Sequence, residues 1–528
     1  MGMERKLTIA TEVDSESGDY QKNIRVRPLY DSIVNEKGFS ILSYPNNIVI
    51  GITVIATFFS FLQIGQKSIW LDEAFSIFFA KLPWGDFWAL LSAKELNQGL
   101  YYVLLKFWLI FGDSEFAVRD LSALFSIASI PVLFALANRL FGVRAGLISV
   151  LLLSVNAFFV EYAQETRGYS LVFFLVVLSS YFFVRVTEDS SNKKMFCGYV
   201  SISALAVYAH FFGVLVLIAQ TLSVPFLPSN KYRTRQLLLA NLLIVALLIP
   251  IVIFIIFKGN GNMSLIPKPS GSHLMELFMD LSGDAGHNRY LTSFYLLPCI
   301  VVSFHAFTTL FRTGRSIDTW RYVFIIFWLV VPIGIVYGFS FIKSMFLNRF
   351  FIVSLPGLML LSGVGIALIK DKYFYLVLLV FLIVMSTRST LAEYYPREKQ
   401  NSRDSTYYVV SHAQRGDGIL FYRGYTIIQF EYYWRRLNPP QDLLDSVYPL
   451  KLGNYNYLED SIENHPDPSV LYLESLKNRY ERIWVISGYI SQKKITTLRL
   501  ILTTLEKHYQ LRQEINYKDI HVLLYVKK

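Results

Sequence analysis

Two carboxylates stand side by side in Ser68-Ile-Trp-Leu-Asp-Glu-Ala-Phe75, a few residues after the first long apolar run of the chain. Such a pair, Asp72 and Glu73, can act as a general base, as ligands for a cation, or as a relay for one. Further polar groups punctuate later apolar runs: Glu161, Glu165, Arg167 and Tyr169 in Glu161-Tyr-Ala-Gln-Glu-Thr-Arg-Gly-Tyr169, His210 in Tyr208-Ala-His-Phe-Phe212, and Arg349 in Asn348-Arg-Phe-Phe351. Two guanidinium forks match the oxygens of a phosphate, so Arg167 and Arg349 together could clamp one. Each residue also has a plainer reading. Asp72 could cap the following helix, Glu73 could be a favourable first-turn acid, the arginines could snorkel to an interface, and His210 could be a packed, hydrogen-bonded histidine. Asp280, Asp284 and His287 could hold a cation but have no recognised ligand spacing, and read better as solvated loop charges.

The elements that position these residues are those of a membrane protein. The 528-residue chain is 53% hydrophobic and 16% aromatic, with a mean hydropathy of +0.40, too apolar for a soluble globule. The net charge of +11 comes from Lys and Arg in short loops between apolar runs, which sets topology and meets anionic lipid headgroups rather than nucleic acid. Cys197 and Cys299 both fall in apolar runs, which leaves no disulfide framework and no cysteine metal site. Residues 1–45 read as a polar cytoplasmic tail. No small-residue cleavage site follows the first apolar run, so that run is expected to remain as an anchor.

Runs long enough to cross a bilayer, about 20 residues each, are expected at 46–64, 117–140, 144–161, 168–186, 194–209, 210–228, 236–257, 290–311, 322–342, 350–369 and 373–391. The pair 194–209 and 210–228 could also form one kinked span. With the N-terminus inside, Arg139, Arg144, Arg185, Lys193, Lys194, Lys231, Arg233, Arg235, Arg312, Arg315, Arg321, Lys370 and Lys372 all fall in short cytoplasmic connections, as the positive-inside rule requires. Asp72, Glu73, Glu165, Arg167, His210 and Arg349 then all reach the outer boundary. Charges beside hydrocarbon are costly unless paired or hydrated, so their convergence implies a polar cavity open to the outside. The outer loop 65–116 is rich in Trp and Phe, and is expected to form amphipathic interfacial helices, one of them over 100–111 and another begun by Pro83. Residues 392–528 turn polar, with strand-like runs at 418–422, 482–488 and 521–526 and a helical pattern over 494–509, which predicts a small extracytoplasmic α/β domain.

The order of Trp70-Leu-Asp-Glu73, Gly112-Asp-Ser-Glu-Phe-Ala-Val-Arg119, Arg139-Leu-Phe-Gly-Val-Arg-Ala-Gly146, Glu161 to Tyr169, Tyr208-Ala-His210 and Asn348-Arg-Phe350 resembles that of the dolichyl-phosphate-mannose-protein mannosyltransferase-like enzymes, GT-C fold glycosyltransferases of the glycosyltransferase 39 type. The resemblance runs over about residues 40–370. It implies a GT-C fold with about eleven transmembrane helices over 46–391, and inverting transfer of one sugar from a polyprenyl-phosphate carrier to a lipid, glycan or protein acceptor at the outer face of the plasma (inner) membrane. By that resemblance Asp72 is the catalytic base with Glu73 its partner in the acid pair, and Arg167 and Arg349 take the carrier phosphate; Glu165, Tyr169 and His210 are expected to bind substrate beside them. The chain departs from the family where many relatives carry His-Pro-Pro-Leu-Tyr: Asn97-Gln-Gly-Leu-Tyr101 stands there. That removes one nitrogen ligand and weakens the case for a divalent cation, which nonetheless stays open at Glu73. A transporter or flippase for a lipid-linked sugar is the competing class, although paired repeats and midplane charges, its usual marks, are absent from the pattern.

Overall fold

The computed structural model describes residues 45–92, 96–258, 268–422, 426–448, 468–488 and 495–528. The expected cytoplasmic tail lies outside them, as do residues 259–267 of the loop containing Asp280. The described residues all belong to one compact unit.

The described chain begins with α1 (Pro45–Phe61), and the connection 65–116 is then built from α2 (Leu71–Lys81), α3 (Trp84–Leu90) and α4 (Gly99–Trp108). A long helix α5 (Glu115–Phe141) leads to α6 (Val143–Ser154), α7 (Ala157–Ala163) and α8 (Tyr169–Glu188). Next come α9 (Lys193–Ala209), α10 (Gly213–Ser223), α11 (Lys231–Leu247) and α12 (Ile249–Lys258). After α13 (Gly271–Leu281), the helices α14 (Tyr290–Thr313), α15 (Ile317–Phe339), α16 (Leu355–Ala367) and α17 (Lys372–Arg388) complete the bundle.

Among the described residues six helical segments are long and apolar enough to cross a membrane, or eight when α6 with α7 and α11 with α12 are each counted as one bent span. The other expected spans are shorter helices, α1, α9 and the segment Gly213–Phe226. Between α9 and α10 the helix breaks at His210–Phe212. Polar side chains start many of these helices: Ser114, Asn156, Asn192, Asn230, Ser316 and Asp371 each accept a hydrogen bond from the first turn, satisfying amides that no helical partner can reach. Helix α16 lies at the centre of the bundle, every one of its residues buried. A Cβ at Gly363 would stand 2.1 Å from Ser149 Oγ, so the close approach of α16 to α6 requires glycine there. Leu238 and Leu242 of α11, Ile253 and Ile256 of α12 and Phe304 and Phe311 of α14 face outward instead, as a lipid-facing surface requires.

Helices form in the connection 65–116 largely where the sequence predicts them, with Pro83 in the position just before α3. Trp84, Trp88 and Phe107 are exposed together, and their rings lie within 6.0 Å of one another in the pairs Trp84–Trp88 and Trp84–Phe107.

The C-terminal part contains α18 (Ser402–His412), α19 (Thr426–Leu437), α20 (Val470–Ser475) and α21 (Ile495–Glu506) around a five-stranded sheet. Its strands β1 (Asp417–Tyr422), β2 (Leu444–Tyr448), β3 (Arg482–Ser487), β4 (Tyr509–Tyr517) and β5 (Ile520–Lys527) lie in the order β2-β1-β3-β5-β4. The first three in that order are parallel, and β5 joins β3 and β4 antiparallel. Both faces are covered, and the strand period of two assigns residues to each. Ile419, Phe421, Trp484, Ile486, Val522 and Leu524 point to one core, and Leu420, Tyr422, Ile483, Val485, Leu523 and Tyr525 to the other. The first of these cores also contains Ala74, Ile77 and Phe79 of α2 and Leu90 of α3. The α2–α3 segment and the C-terminal sheet therefore share one hydrophobic core and must sit on the same side of the bundle. Strands β2 and β4 are additions to the sequence reading. Most of β4 is exposed, so no alternation marks it, and its first residue, Tyr509, had read as the end of a helix.

Candidate functional site

Helix α2 carries the acid pair on different faces, and the two carboxylates have different surroundings. Glu73 is wholly buried. Its Oε1 and Oε2 accept from Arg119 Nε at 2.8 Å and an Arg119 terminal nitrogen at 2.7 Å, and Oε1 also accepts from the Thr166 amide at 3.0 Å. Arg119, on the first turns of α5, uses its remaining N–H groups on the carbonyls of Ile64, Lys67 and Ser68 at 2.8, 2.8 and 3.1 Å. Burial pushes the Glu73 carboxyl up, but the charge and hydrogen bonds of Arg119 outweigh it and hold the group below the usual carboxylate range. Glu73 is thus the centre of a brace tying α2 to α5, to the loop after α1 and to the Glu165–Arg167 loop. This arrangement uses the lone pairs that a base or a metal ligand would need.

Asp72 is partly exposed, and its carboxylate pairs with Arg349 at 2.8 Å. It does not cap α2, because Trp70 occupies the cap position. Arg349 comes from a 3₁₀ turn, Asn348–Ser354, that leads into α16. Asn348 beside it donates to Asp280 at 2.7 Å, and Asp280 also meets His287 at 3.0 Å. Asp280 and His287 are therefore hydrogen-bonded supports of this turn rather than free loop charges.

The bend of 63° between α6 and α7 swings the Glu161–Arg167 loop over this region. Asn156 fixes the bend by accepting from the Phe159 amide and donating to the Leu281 carbonyl, at 2.9 and 3.0 Å. Arg167 then donates to the Tyr102 hydroxyl at 3.0 Å, and to Ser76 Oγ and the Asp72 carbonyl, each at 3.4 Å. Gly168 must be glycine because a Cβ would meet the Ala209 carbonyl at 2.9 Å, and this close contact joins the loop to His210. Glu165 is buried and pairs with Lys399 at 2.5 Å. Burial pushes its carboxyl up, and the neighbouring Lys399 offsets this only in part.

His210 is buried among Tyr169, Phe212 and Phe350, with ring centres 5.4 to 5.6 Å away. Its Nδ1 accepts from the Phe212 amide at 3.2 Å, and its Nε2 faces Asn97 Nδ2 at 3.5 Å. Asn97 and Gln98, the residues of the family departure, also accept from the amides of Phe211 and Gly168 at 3.1 and 2.8 Å. They bind the two loops that carry His210 and Arg167.

Three charged groups escaped the sequence reading. Arg119 lies inside a recognised motif, but only the fold reveals it as the partner of Glu73. Lys399 and Lys67 lie in loops outside every motif. Lys67 donates to the Tyr394 carbonyl at 3.0 Å and stands 3.7 Å from that ring's centre. Burial, assisted by the nearby charge of Lys399, lowers its ammonium to about 7. Lys399 and Arg349 both approach Trp70, 5.5 and 6.0 Å from its ring centre.

Four buried polar atoms of this region have no hydrogen-bond partner among the described residues: Trp70 Nε1, Glu165 Oε2, Tyr169 Oη and Arg349 Nε. An unpaired buried polar atom costs about 1–3 kcal/mol, so these four leave hydrogen-bonding capacity for water or a polar ligand beside the Asp72–Arg349 pair. Three are donors and one is an acceptor, which matches a molecule carrying both anionic oxygens and hydroxyl groups. Among the described residues no group of three or more His, Cys, Asp or Glu side chains is arranged to hold a metal ion.

Comparison with known proteins follows the same lines. Residues 99–257 match the family model described as dolichyl-phosphate-mannose-protein mannosyltransferase. No curated protein sequence matches the chain. Among solved structures, ArnT from Cupriavidus metallidurans bound to undecaprenyl phosphate aligns with a TM-score of 0.58 and 14% identity, over 91% of this chain and 98% of that one. The archaeal oligosaccharyltransferase AglB from Archaeoglobus fulgidus, in complex with an inhibitory peptide and a dolichol-phosphate, aligns with a TM-score of 0.51 and 10% identity, over 93% of this chain and 75% of that one. The chain has the GT-C fold, a helical membrane bundle with a C-terminal sheet region, and the resemblance read from its motifs is borne out.

Proposed function

We propose that this GT-C chain is a glycosyltransferase that moves one sugar, with inversion, from a polyprenyl-phosphate carrier to an acceptor at the outer face of the plasma (inner) membrane. The observation that carries the reading is the cluster of unpartnered buried atoms around the Asp72–Arg349 pair. The family match over 99–257, and the polyprenyl and dolichyl phosphates named in the two related structures, support the donor class.

In this reading Asp72 is the base. The acceptor hydroxyl gives its proton to the Asp72 carboxylate as its oxygen forms the new bond to the anomeric carbon. The bond between that carbon and the phosphate oxygen breaks, and the carrier phosphate leaves with the electron pair. General-base assistance of this kind contributes about 100- to 10,000-fold. Arg349, with Arg167 beside it, stabilises the charge that grows on the leaving phosphate. A phosphate arriving at Arg349 competes with Asp72 for the same guanidinium, so donor binding frees the base. Tyr169 and Glu165 supply the hydroxyl and carboxylate that orient the sugar, and His210 holds the wall behind them. Glu73 serves the reaction by bracing α2 rather than by touching the reactants. The exposed Trp84, Trp88 and Phe107 anchor the outer loop in the headgroup layer, where an isoprenoid tail can stay in lipid while its phosphate reaches Arg349.

The test is turnover of a panel of undecaprenyl-phosphate-linked pentoses and hexoses by purified protein, with products read by mass spectrometry, for the wild type beside Asp72→Asn. Transfer by the wild type and its loss in the folded variant are the expected results. Movement of the intact donor between leaflets of a proteoliposome, without bond cleavage, would instead establish the transporter reading.

A further inference from the structure

Local capping at the start of helix α2 is limited to Glu73, whose carboxylate accepts from the Trp70 amide at 3.5 Å. Trp70 stands at the cap position with no side-chain hydrogen bond to the first turn, so the Leu71 amide needs an acceptor from elsewhere. It has one in Gln400 Oε1, at 3.1 Å. The same oxygen accepts from Gln429 Nε2 at 2.7 Å. Gln400 lies in the strap between α17 and α18, and Gln429 is a buried residue of α19 in the sheet region.

Neighbouring bonds repeat the pattern. Ser402 Oγ donates to the Ile69 carbonyl at 2.7 Å, the Tyr433 hydroxyl accepts from the Ile69 amide at 2.8 Å, and the Arg403 amide donates to Ser68 Oγ at 3.0 Å. The turn that precedes Asp72 is thus held along its length by the C-terminal region, while Arg349 meets the Asp72 carboxylate from the bundle side.

We infer that Gln400 is a positioning residue for Asp72, and that through Gln429 the C-terminal region sets the geometry of the base. The inference rests on the proposed role of Asp72. Gln400 supplies the Leu71 amide, across the fold, with an acceptor that the local sequence lacks, and without it the first turn of α2 loses the bond that fixes its backbone next to Asp72. Misplacement of a reacting group by about 1 Å costs roughly 100-fold in rate, far more than one backbone hydrogen bond contributes to stability.

The experiment compares Gln400→Leu with Gln400→Glu in the full chain. Leucine removes the acceptor at similar volume, and glutamate keeps it. Hydrogen exchange of peptides spanning residues 68–76 should quicken about tenfold in Gln400→Leu, the loss of one bond's protection, and return to the wild-type rate in Gln400→Glu. In turnover of undecaprenyl-phosphate-linked sugars, Gln400→Leu should lower kcat by about 10- to 100-fold with donor KM unchanged, and Gln400→Glu should restore it. Affinity for undecaprenyl phosphate itself should be the same in all three proteins. Unchanged exchange in Gln400→Leu, or equal loss of kcat in the two variants, overturns the inference. A wild-type protein that transfers no polyprenyl-phosphate sugar overturns the functional reading and the catalytic meaning of Gln400 with it, whereas the exchange comparison reports the cap independently of turnover.

Discussion

Replacing each member of the acid pair by its amide should separate a base from a brace. In Glu73→Gln the amide keeps one acceptor oxygen, but its NH2 group must face the N–H groups of Arg119, which is itself only 1% exposed. Losing one partner of a buried pair leaves the other charge uncompensated and costs about 3–5 kcal/mol, a large share of the roughly 5–15 kcal/mol that holds a domain folded. Asp72→Asn removes a charge from a carboxylate that is 23% exposed and pairs with Arg349. Such pairs contribute about 0–1 kcal/mol. The expected result for Asp72→Asn is a near-normal unfolding midpoint with a rate loss of about 100- to 10,000-fold, equal to about 2.7–5.4 kcal/mol of barrier. Glu73→Gln should unfold several degrees lower, and any activity loss should follow the fraction of folded protein. Thermal unfolding in detergent and turnover on the same preparations decide the matter. A Glu73→Gln protein with the wild-type midpoint and a hundredfold loss of rate would refute the brace, and full turnover by Asp72→Asn would remove it from the mechanism. The pH dependence gives a second check. Because the folded state holds the Glu73 carboxyl below its ordinary value, its contribution is complete above the unfolded pKa near 4.5 and is lost as pH falls through the lower folded value.

Other residues give sharper tests of single contacts. Arg349→Ala should weaken binding of undecaprenyl phosphate at least tenfold while leaving the fold intact, as measured by microscale thermophoresis; an unchanged affinity would count against the phosphate role. Lys67 gives up its proton near 7 when folded but in the ordinary lysine range when unfolded, so the unfolded chain binds the extra proton between those values and stability should rise with pH from about 7 upward; Lys67→Met should flatten that part of the melting profile. Tyr433→Phe leaves the buried Ile69 amide without its 2.8 Å acceptor and should cost about 1–3 kcal/mol in chemical unfolding. Cysteine introduced at exposed Ser114 or Glu481 should react with an impermeant reagent from the same side of the membrane, and cysteine at Lys193 only from the other; labelling of all three from one side would overturn the topology.

How far the sequence revealed this arrangement depended on the range of the interactions involved. Apolar runs of span length and the short strand-like apolar runs of β1, β3 and β5 are local patterns, and they located the bundle and most of the sheet. The edge strand β4 has no buried face to alternate with, and was misread at Tyr509. Within the site, residue type was enough to single out Asp72, Glu73, Arg167 and Arg349, but not to tell the two carboxylates apart. Their roles diverge because one turn of helix sends Glu73 inward to Arg119, 46 residues away, and leaves Asp72 facing Arg349, 277 residues away. No local periodicity encodes a partner at either distance. Lys399 and Gln400 were invisible for the same reason, since a lysine and a glutamine in a polar linker have no signature until the linker is laid against residues 68–72.

That linker also changes what the C-terminal region is for. Read from sequence alone, residues 392–528 are an appendage whose link to the chemistry is unspecified. In the folded chain one face of their sheet shares a hydrophobic core with α2 and α3, and the strap contributes Lys399 to the pair with Glu165. An acidic turn held only by the bundle would have a Leu71 amide without its acceptor, a buried Glu165 without a counter-charge and an apolar α2 face open to water. Each of these defects costs on the order of 1–3 kcal/mol or more, and the C-terminal region corrects all three. Truncation after α17 should therefore abolish transfer even where the bundle still inserts, because it removes Lys399 and Gln400 of the strap together with the sheet face that covers α2.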